Sequence, residues 1–371
     1  MKPVYLLLGF SLILGGCVQI KNVDKIHTAE PVLARTMVLP GVRGSRPSAG
    51  VPGRIDHGAY DPVTKRLFMA ALENGSLEVV DLETGVRIKS ISELDRPQGV
   101  AIASSIGCAV VACGGGKVYA YDTKTLNEVK SFKLGAGADN VRYDATHDTV
   151  LVSYGNNEKG AVAVIDPHSW NVLSEFSFPS RPESFQLDLT GNRMFANLPR
   201  GVRAVTDGEV AVLDLKSGKA LARIPLRGQA RNFPMAFDST HQRLYIASRR
   251  PASLIQIDMR KYQISGESLC TDDSDDLFYD AKRNRVYVIG GGFRPDLQEP
   301  GTASPFSPPG EMGALDVFNI GPHGEMTRIY GISTAPHART ATFAVQRDAL
   351  YIFAPIQGML EAKILEYRPV E

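Results

Sequence analysis

The chain has 371 residues, with 41 Lys plus Arg against 40 Asp plus Glu and a formal net charge of +1. That balance excludes a general nucleic-acid binder, which needs a clustered basic excess to neutralise phosphates, so no nucleic-acid partner is expected. The length is ample to bury a core without covalent staples, and 35 Gly with 23 Pro point to many turns.

The first element is an export signal. After Lys2, a thin positive start, Val4 to Leu14 form an apolar stretch that is too short to span a bilayer and suits the hydrophobic region of a signal peptide. It ends in Leu14-Gly15-Gly16-Cys17, which resembles the lipobox of bacterial lipoprotein precursors. The resemblance implies diacylglyceryl attachment to Cys17, cleavage before it and acylation of the new terminus. Several acyl chains anchor a protein stably where one does not. Val18, rather than Asp, follows the cysteine, which by analogy with the Gram-negative sorting rule implies the outer membrane, facing the periplasm. The expected organisation is a signal peptide at 1–16, a lipidated tether at 17–34 and one folded body at 35–371. An ordinary cleaved signal with a coincidental Cys17 is the alternative.

From there a strand-like run recurs: Arg66–Ala71, Cys108–Cys113, Thr149–Ser153, Arg193–Asn197, Arg243–Ser248, Arg285–Gly290 and Ala349–Ala354. Each is rich in β-branched and aromatic residues and bounded by turn formers. A second run follows and ends in an acid: Asp81, Asp122, Asp166, Asp214, Asp258, Asp316 and Glu366. In several copies that acid opens a turn, as in Asp81-Leu-Glu-Thr-Gly85, where a carboxylate can cap backbone N–H groups and glycine can take a positive φ. A third strand leaves the turn. Seven copies at a period of roughly 45 residues, four short strands each, describe an all-β protein: a seven-bladed β-propeller of antiparallel blades. The last copy stops one strand short, and Val32–Leu39 reads as the missing outermost strand, so the N-terminal strand is expected to close the ring and remove open edges.

The pattern Arg-Leu-Tyr-Ile-Ala, then Val-x-Val-x-Asp-x-x-Thr-Gly, resembles the YVTN-type propeller repeat of bacterial extracytoplasmic proteins. Segments such as Ala138–Asp144, Arg181–Asp188, Asn232–Asp238 and Asp275–Asp280 resemble a lipoprotein branch of it. The likeness covers roughly residues 50–368, is specific for fold, and implies no particular chemistry, because one fold hosts many functions.

Aligning the repeats on their marker acids puts one short motif per blade at the mouth of the central channel. One column of that alignment reads Asp56, Gln98, Asp139, Glu183, Phe233, Asp275, Arg339. With their neighbours His57, Asn140, Arg231, Asn232 and Asp276, the polar members form the candidate binding set for a small polar ligand or a protein partner. The competing reading is structural: each acid pairs with a nearby Arg or caps its own blade. Acids converging on one opening would raise one another's pKa or hold a cation. No cofactor is required by any motif; a divalent cation such as calcium is the one candidate, with Asp139, Glu183 and Asp275 as ligands.

The sequence carries no Gly-x-Ser-x-Gly elbow and no Cys-x-x-Cys-His, so no catalytic residue is assigned. A lipid-anchored binding or scaffold module is the leading function. A metal-assisted hydrolase of lactonase type and an accessory role in extracytoplasmic redox metabolism are the alternatives. Beyond Cys17 the cysteines are Cys108, Cys113 and Cys270, a poor count for a disulfide framework. Cys108 and Cys113, five apart in one strand, are expected on opposite faces. Two insertions break the period: 199–207, and a Pro-rich loop at 291–313 that reads as a lid, a docking loop or an ornament.

Overall fold

The computed structural model describes residues 29–42, 54–199, 207–294, 302–356 and 361–370. Cys17, the signal segment and the tether up to residue 28 lie outside the described residues, as do 295–301 of the long insertion and most of 199–207. Seven four-stranded antiparallel sheets follow one another. The blades run over 58–91, 97–133, 141–178, 185–226, 235–269, 274–336 and 340–368. In the first six, the strands pair in chain order from the inner strand to the outer. The seventh takes its outer strand from the N-terminus: Val32–Leu39 runs antiparallel to Ala362–Arg368, from Val32 opposite Arg368 to Leu39 opposite Ala362. Pairing therefore begins at Val32, slightly inside the segment read from sequence as tether.

The middle strands read as continuous apolar runs rather than alternating ones because both of their faces are covered. Cys108–Cys113, Arg285–Gly290 and Ala349–Ala354 are buried at every residue. Outer strands such as Val86–Ile91 are mostly exposed. Seven hydrophobic clusters fill the wedges, one between each neighbouring pair of blades. Between the first two blades sit Phe68, Leu77 and Val79 against Val100, Val111 and Tyr121. Where the ring closes, Met37 and Leu39 of the N-terminal strand join Leu67, Met69, Tyr351 and Phe353. Cys108 and Cys113 face different wedges, and together with Cys270 they are buried free thiols.

The turn from inner to second strand repeats in all seven blades. The residue just before the second strand is left-handed each time: Lys65, Gly107, Asp148, Asn192, Gln242, Asn284 and Asp348. Five of these turns are capped by a buried aspartate that ends the inner strand: Asp61, Asp144, Asp188, Asp238 and Asp280. Asp144 accepts from the N–H of Thr146 at 2.8 Å, and Asp280 from that of Lys282 at 3.0 Å.

The marker acids hold in five blades and fail in two. Asp81, Asp122, Asp214 and Asp258 pair across the ladder with Arg66, Cys108, Arg193 and Arg243, and Asp166 accepts from its own turn at 2.9 Å. In the sixth blade Arg285 lies opposite Asn319, so Asn319 holds the marker position and Asp316 sits inside the strand. In the seventh, Glu366 lies opposite Tyr351, two residues short of the strand's end. Both are buried acids paired with arginines, Asp316 with Arg328 at 2.7 Å and Glu366 with Arg35 at 2.9 Å. They belong with Glu78 and Glu209, buried acids of third strands that pair with Arg87 and Arg223 of the outer strands. An acid near the end of an apolar run looks alike in sequence whether it caps the turn or lies buried two or three residues earlier.

Candidate functional site

The inner strands are short, four residues in Gly58–Asp61, Val141–Asp144, Phe185–Asp188 and Met235–Asp238, so the segment before each one reaches the axis. Backbone pairing with the end of the second strand fixes that segment. Asp56 N–H donates to Ala70 O at 2.8 Å, Asp139 N–H to Ser153 O at 2.9 Å, and Glu183 N–H to Asn197 O at 3.1 Å. In five blades the residue two positions before the aligned column is left-handed: Arg96, Gly137, Arg231, Asp273 and His337. This kink turns the chain into the channel. For the four non-glycine residues it stores strain that the surrounding structure must hold.

All seven aligned residues line one cavity of about 550 Å³, and each inner strand contributes to its wall. Of the eleven candidates from sequence, Asp56, His57, Gln98, Asp139, Asn140, Glu183, Asp275, Asp276 and Arg339 meet there. Arg231 and Asn232 do not. Arg231 is the kink residue of its blade and is buried behind the wall. Asn232 is wholly buried, donating to Asn197 Oδ1 at 2.9 Å and Glu209 O at 3.2 Å, so it straps two blades together.

The charges at the mouth are bound to one another. Arg249 and Arg339 close a four-membered ring with Asp273 and Asp275, with contacts of 2.6 to 3.0 Å. Burial opposes ionisation of Asp275, but the two guanidiniums prevail and hold its carboxyl down at about 2. Arg249 also stacks 4.1 Å from the Phe233 ring, which gives that aromatic member of the column a role in positioning. Arg181 binds Glu183 at 2.5 Å and lies 3.7 Å from Asp139. Arg54 reaches Asp56 at 3.4 Å. His57 places Nδ1 3.1 Å from Asp276 Oδ1, and Asp276 Oδ2 accepts from Ala341 N–H at 2.8 Å, tying three blades together. Burial alone would lower the His57 pKa; Asp276 and then Asp56 overcome it and raise it to about 10, so the imidazolium persists at neutral pH. Burial pushes Asp139 up to about 7, against the pull of Arg181 and helped by Glu183 and Asp56.

Among the described residues no group of three or more His, Cys, Asp or Glu is arranged to hold a metal ion. The three carboxylates singled out for calcium, Asp139, Glu183 and Asp275, are turned to arginines instead. Sequence reading missed Arg181, Arg249 and Asp273 as members of the network, and Arg142 and Gln186 in the cavity wall. Arg249 and Arg142 lie on strands, one at the end of a second strand and one inside an inner strand, where a motif search at the mouth does not look.

His337, the other mouth histidine, holds Glu311 of the long insertion at 3.0 Å. The described part of that insertion is docked on the sixth blade. Asp272 accepts from Ser304 N–H at 2.7 Å and Ser307 Oγ at 2.8 Å, and Phe306 lies 4.2 Å under Arg328.

Fold and cavity together define a seven-bladed β-propeller with a charged central channel, an architecture compatible with a binding or scaffold module. Solved structures with the same fold include the Kuenenia stuttgartiensis hydrazine synthase, at TM-score 0.67 and 12% identity over 87% of this chain and 99% of that one. A chain of a mitotic checkpoint complex matches at TM-score 0.68 and 12% identity over 99% of both. Neither protein-family models nor curated proteins give a match. At such identity the likeness shows the fold alone.

Proposed function

We propose that this chain is a lipid-anchored, extracytoplasmic propeller of the YVTN-like kind that binds a small polar or charged molecule in the mouth of its central channel. The observation that carries this is convergence: nine polar side chains from segments far apart in sequence meet around one cavity of about 550 Å³, the size of a small-molecule site. Preorganisation supports it too. The mouth charges are fixed in ion pairs, so a ligand meets a rigid pattern of donors and acceptors rather than mobile side chains that must be ordered on binding. With the acids held by arginines, the geometry favours recognition over metal-assisted hydrolysis. The anchor rests on Leu14-Gly15-Gly16-Cys17.

The test uses the whole chain purified in detergent from its membranes. A thermal-shift screen of small polar metabolites should find compounds that raise Tm by a few degrees, as expected when a ligand binds only the folded state. The same compounds should fail on Gln98→Trp, which fills the mouth, while that variant keeps its ligand-free Tm. Compounds that shift both proteins alike, or a screen without hits, would overturn the reading. Cys17→Ser in the same preparation should lose palmitate label and leave the membrane pellet; retention of both would overturn the anchor.

A further inference from the structure

Past the mouth the channel changes character. Phe237, Phe278 and Phe343 are half-buried and line the same cavity, and among the described residues the inner strands add one cation to its wall: Arg142, in Val141–Asp144. Its Nη1 donates to the carbonyl of Val141 at 2.9 Å, and its guanidinium lies 5.6 Å from the Phe185 ring. Among the described residues no carboxylate forms an ion pair with it, whereas Arg181, Arg249 and Arg339 of the same cavity each hold one. Arg142 is half-buried in the cavity wall, its guanidinium cannot shed its charge by releasing a proton, and Asp276 and Asp139 act on it from a distance without closing an ion pair. Among the described residues six arginines, the His57 imidazolium and five carboxylates line the cavity, and Asp273 pairs with Arg249 and Arg339 from beside it, so the cations outnumber the acids by one.

Building on the reading of the channel as a small-molecule site, we propose that its ligand is an organic oxyanion with a short apolar tail. The oxyanion would sit on Arg142 and the tail against Phe237, Phe278 and Phe343. Arg142 presents a planar fork of donors suited to a carboxylate or phosphate. The aromatic wall offers apolar area that an inorganic anion would leave unused. A cationic ligand would have to displace a guanidinium or the His57 imidazolium from each carboxylate of the cavity wall.

The experiment is isothermal titration of the whole chain with 3-phenylpropionate, with 3-phenylpropylamine and with inorganic phosphate. The carboxylate should bind, the amine should not, and phosphate should bind more weakly for want of a tail. Arg142→Gln should weaken 3-phenylpropionate by about tenfold or more, the loss expected for one charge-assisted pair, and Arg142→Lys should recover part of it. Because Arg142→Gln removes a half-buried charge that closes no ion pair among the described residues, its ligand-free Tm should stay at or above that of the parent, so misfolding would not account for the loss. Equal binding of the amine, or unchanged affinity in Arg142→Gln, would overturn the oxyanion seat; phosphate binding as tightly as 3-phenylpropionate would overturn the tail. If 3-phenylpropionate fails while screened compounds still bind in a manner blocked by Gln98→Trp, this inference falls and the proposed function stands. If those compounds fail as well, both fall.

Discussion

The two ends of the channel solve different problems with the same residue type. At the end away from the mouth, Asp61, Asp144, Asp188, Asp238 and Asp280 each bind groups of their own blade's turn: Thr64, His147, Arg193, His241 and Arg283 supply side-chain partners three to five residues on. At the mouth Arg54 with Asp56 and Arg181 with Glu183 are neighbours in one segment, but the other partners come from different blades. His57 of the first reaches Asp276 of the sixth, Arg339 of the seventh and Arg249 of the fifth hold Asp273 and Asp275, and Asn140 of the third donates to the carbonyl of Glu183 before the fourth. A requirement inside one repeat recurs with the repeat. A requirement between repeats depends on which two blades meet, so identity at the mouth varies while geometry is kept. That variation supports the proposed placement of the ligand at the mouth.

The largest expected effect breaks the constant end. Asp280 is buried and accepts from the N–H groups of Lys282 and Arg283, from Arg283 Nη1 at 2.9 Å and from Tyr287 OH at 2.9 Å. Asp280→Ala should cost about 2–4 kcal/mol, because it leaves a turn uncapped and the buried Tyr287 hydroxyl without its partner, while Arg283 loses one of its two carboxylates and keeps Asp348. Equilibrium denaturation would measure it, and a channel ligand should bind the surviving folded fraction unchanged. If ligand affinity fell with stability, the separation of the two ends would be wrong.

The second prediction acts at the mouth and reads out in pH. In the folded chain His57 keeps its proton up to about 10, whereas an unfolded histidine loses it near pH 6.5. Between those values the folded state holds the extra proton, so stability contributed by His57 is complete below the lower value and is lost as pH rises through the upper. Replacing His57 by Gln should flatten the fall in stability between pH 7 and 9.5, by about 2 kcal/mol at the top of the range. Asp139, raised to about 7, works below that window: its folded form holds the extra proton between the ordinary carboxylate range and pH 7, so its contribution has already fallen away. Identical slopes for parent and His57→Gln would show that the His57–Asp276 contact carries no charge.

Much of the fold was legible because each blade repeats apolar middle strands and a capped turn, and because Val32–Leu39 carries an outer-strand pattern with no blade of its own beside it. The aligned column at the mouth was legible too, since equal spacing brings equivalent positions to one axis. The expected pairing of each acid with a nearby Arg holds for Asp56 with Arg54 and Glu183 with Arg181; what sequence could not show was pairing between blades. Nothing in Arg249 marks it as the partner of Asp273 and Asp275, because their proximity comes from the rotation between blades rather than from chain distance. Arg142 looks in sequence like any charged residue of a half-buried strand, and only the positions of the carboxylates around it reveal that among the described residues none closes an ion pair with it. Asn232 erred the other way: a polar residue beside the mouth motif turned out to strap two blades from inside the wall.

The smallest effect belongs to the third set of aspartates, which repeat as the far-end caps do but face solvent. Asp122 accepts from the N–H groups of Lys124 at 2.9 Å and Thr125 at 2.6 Å. Those hydrogen bonds, chiefly that from Thr125, outweigh slight burial and hold its carboxyl below the usual range. Asp122→Ala removes the same kind of contact as Asp280→Ala, yet water can take up the freed N–H groups, and no buried guanidinium loses a partner. The fall in Tm should be no more than about 2 °C. Repetition alone would rank the two aspartates alike; burial predicts a several-fold gap between them. Equal losses in Asp122→Ala and Asp280→Ala would mean that the turn, not the burial of the acid that closes it, sets the stability of the constant end.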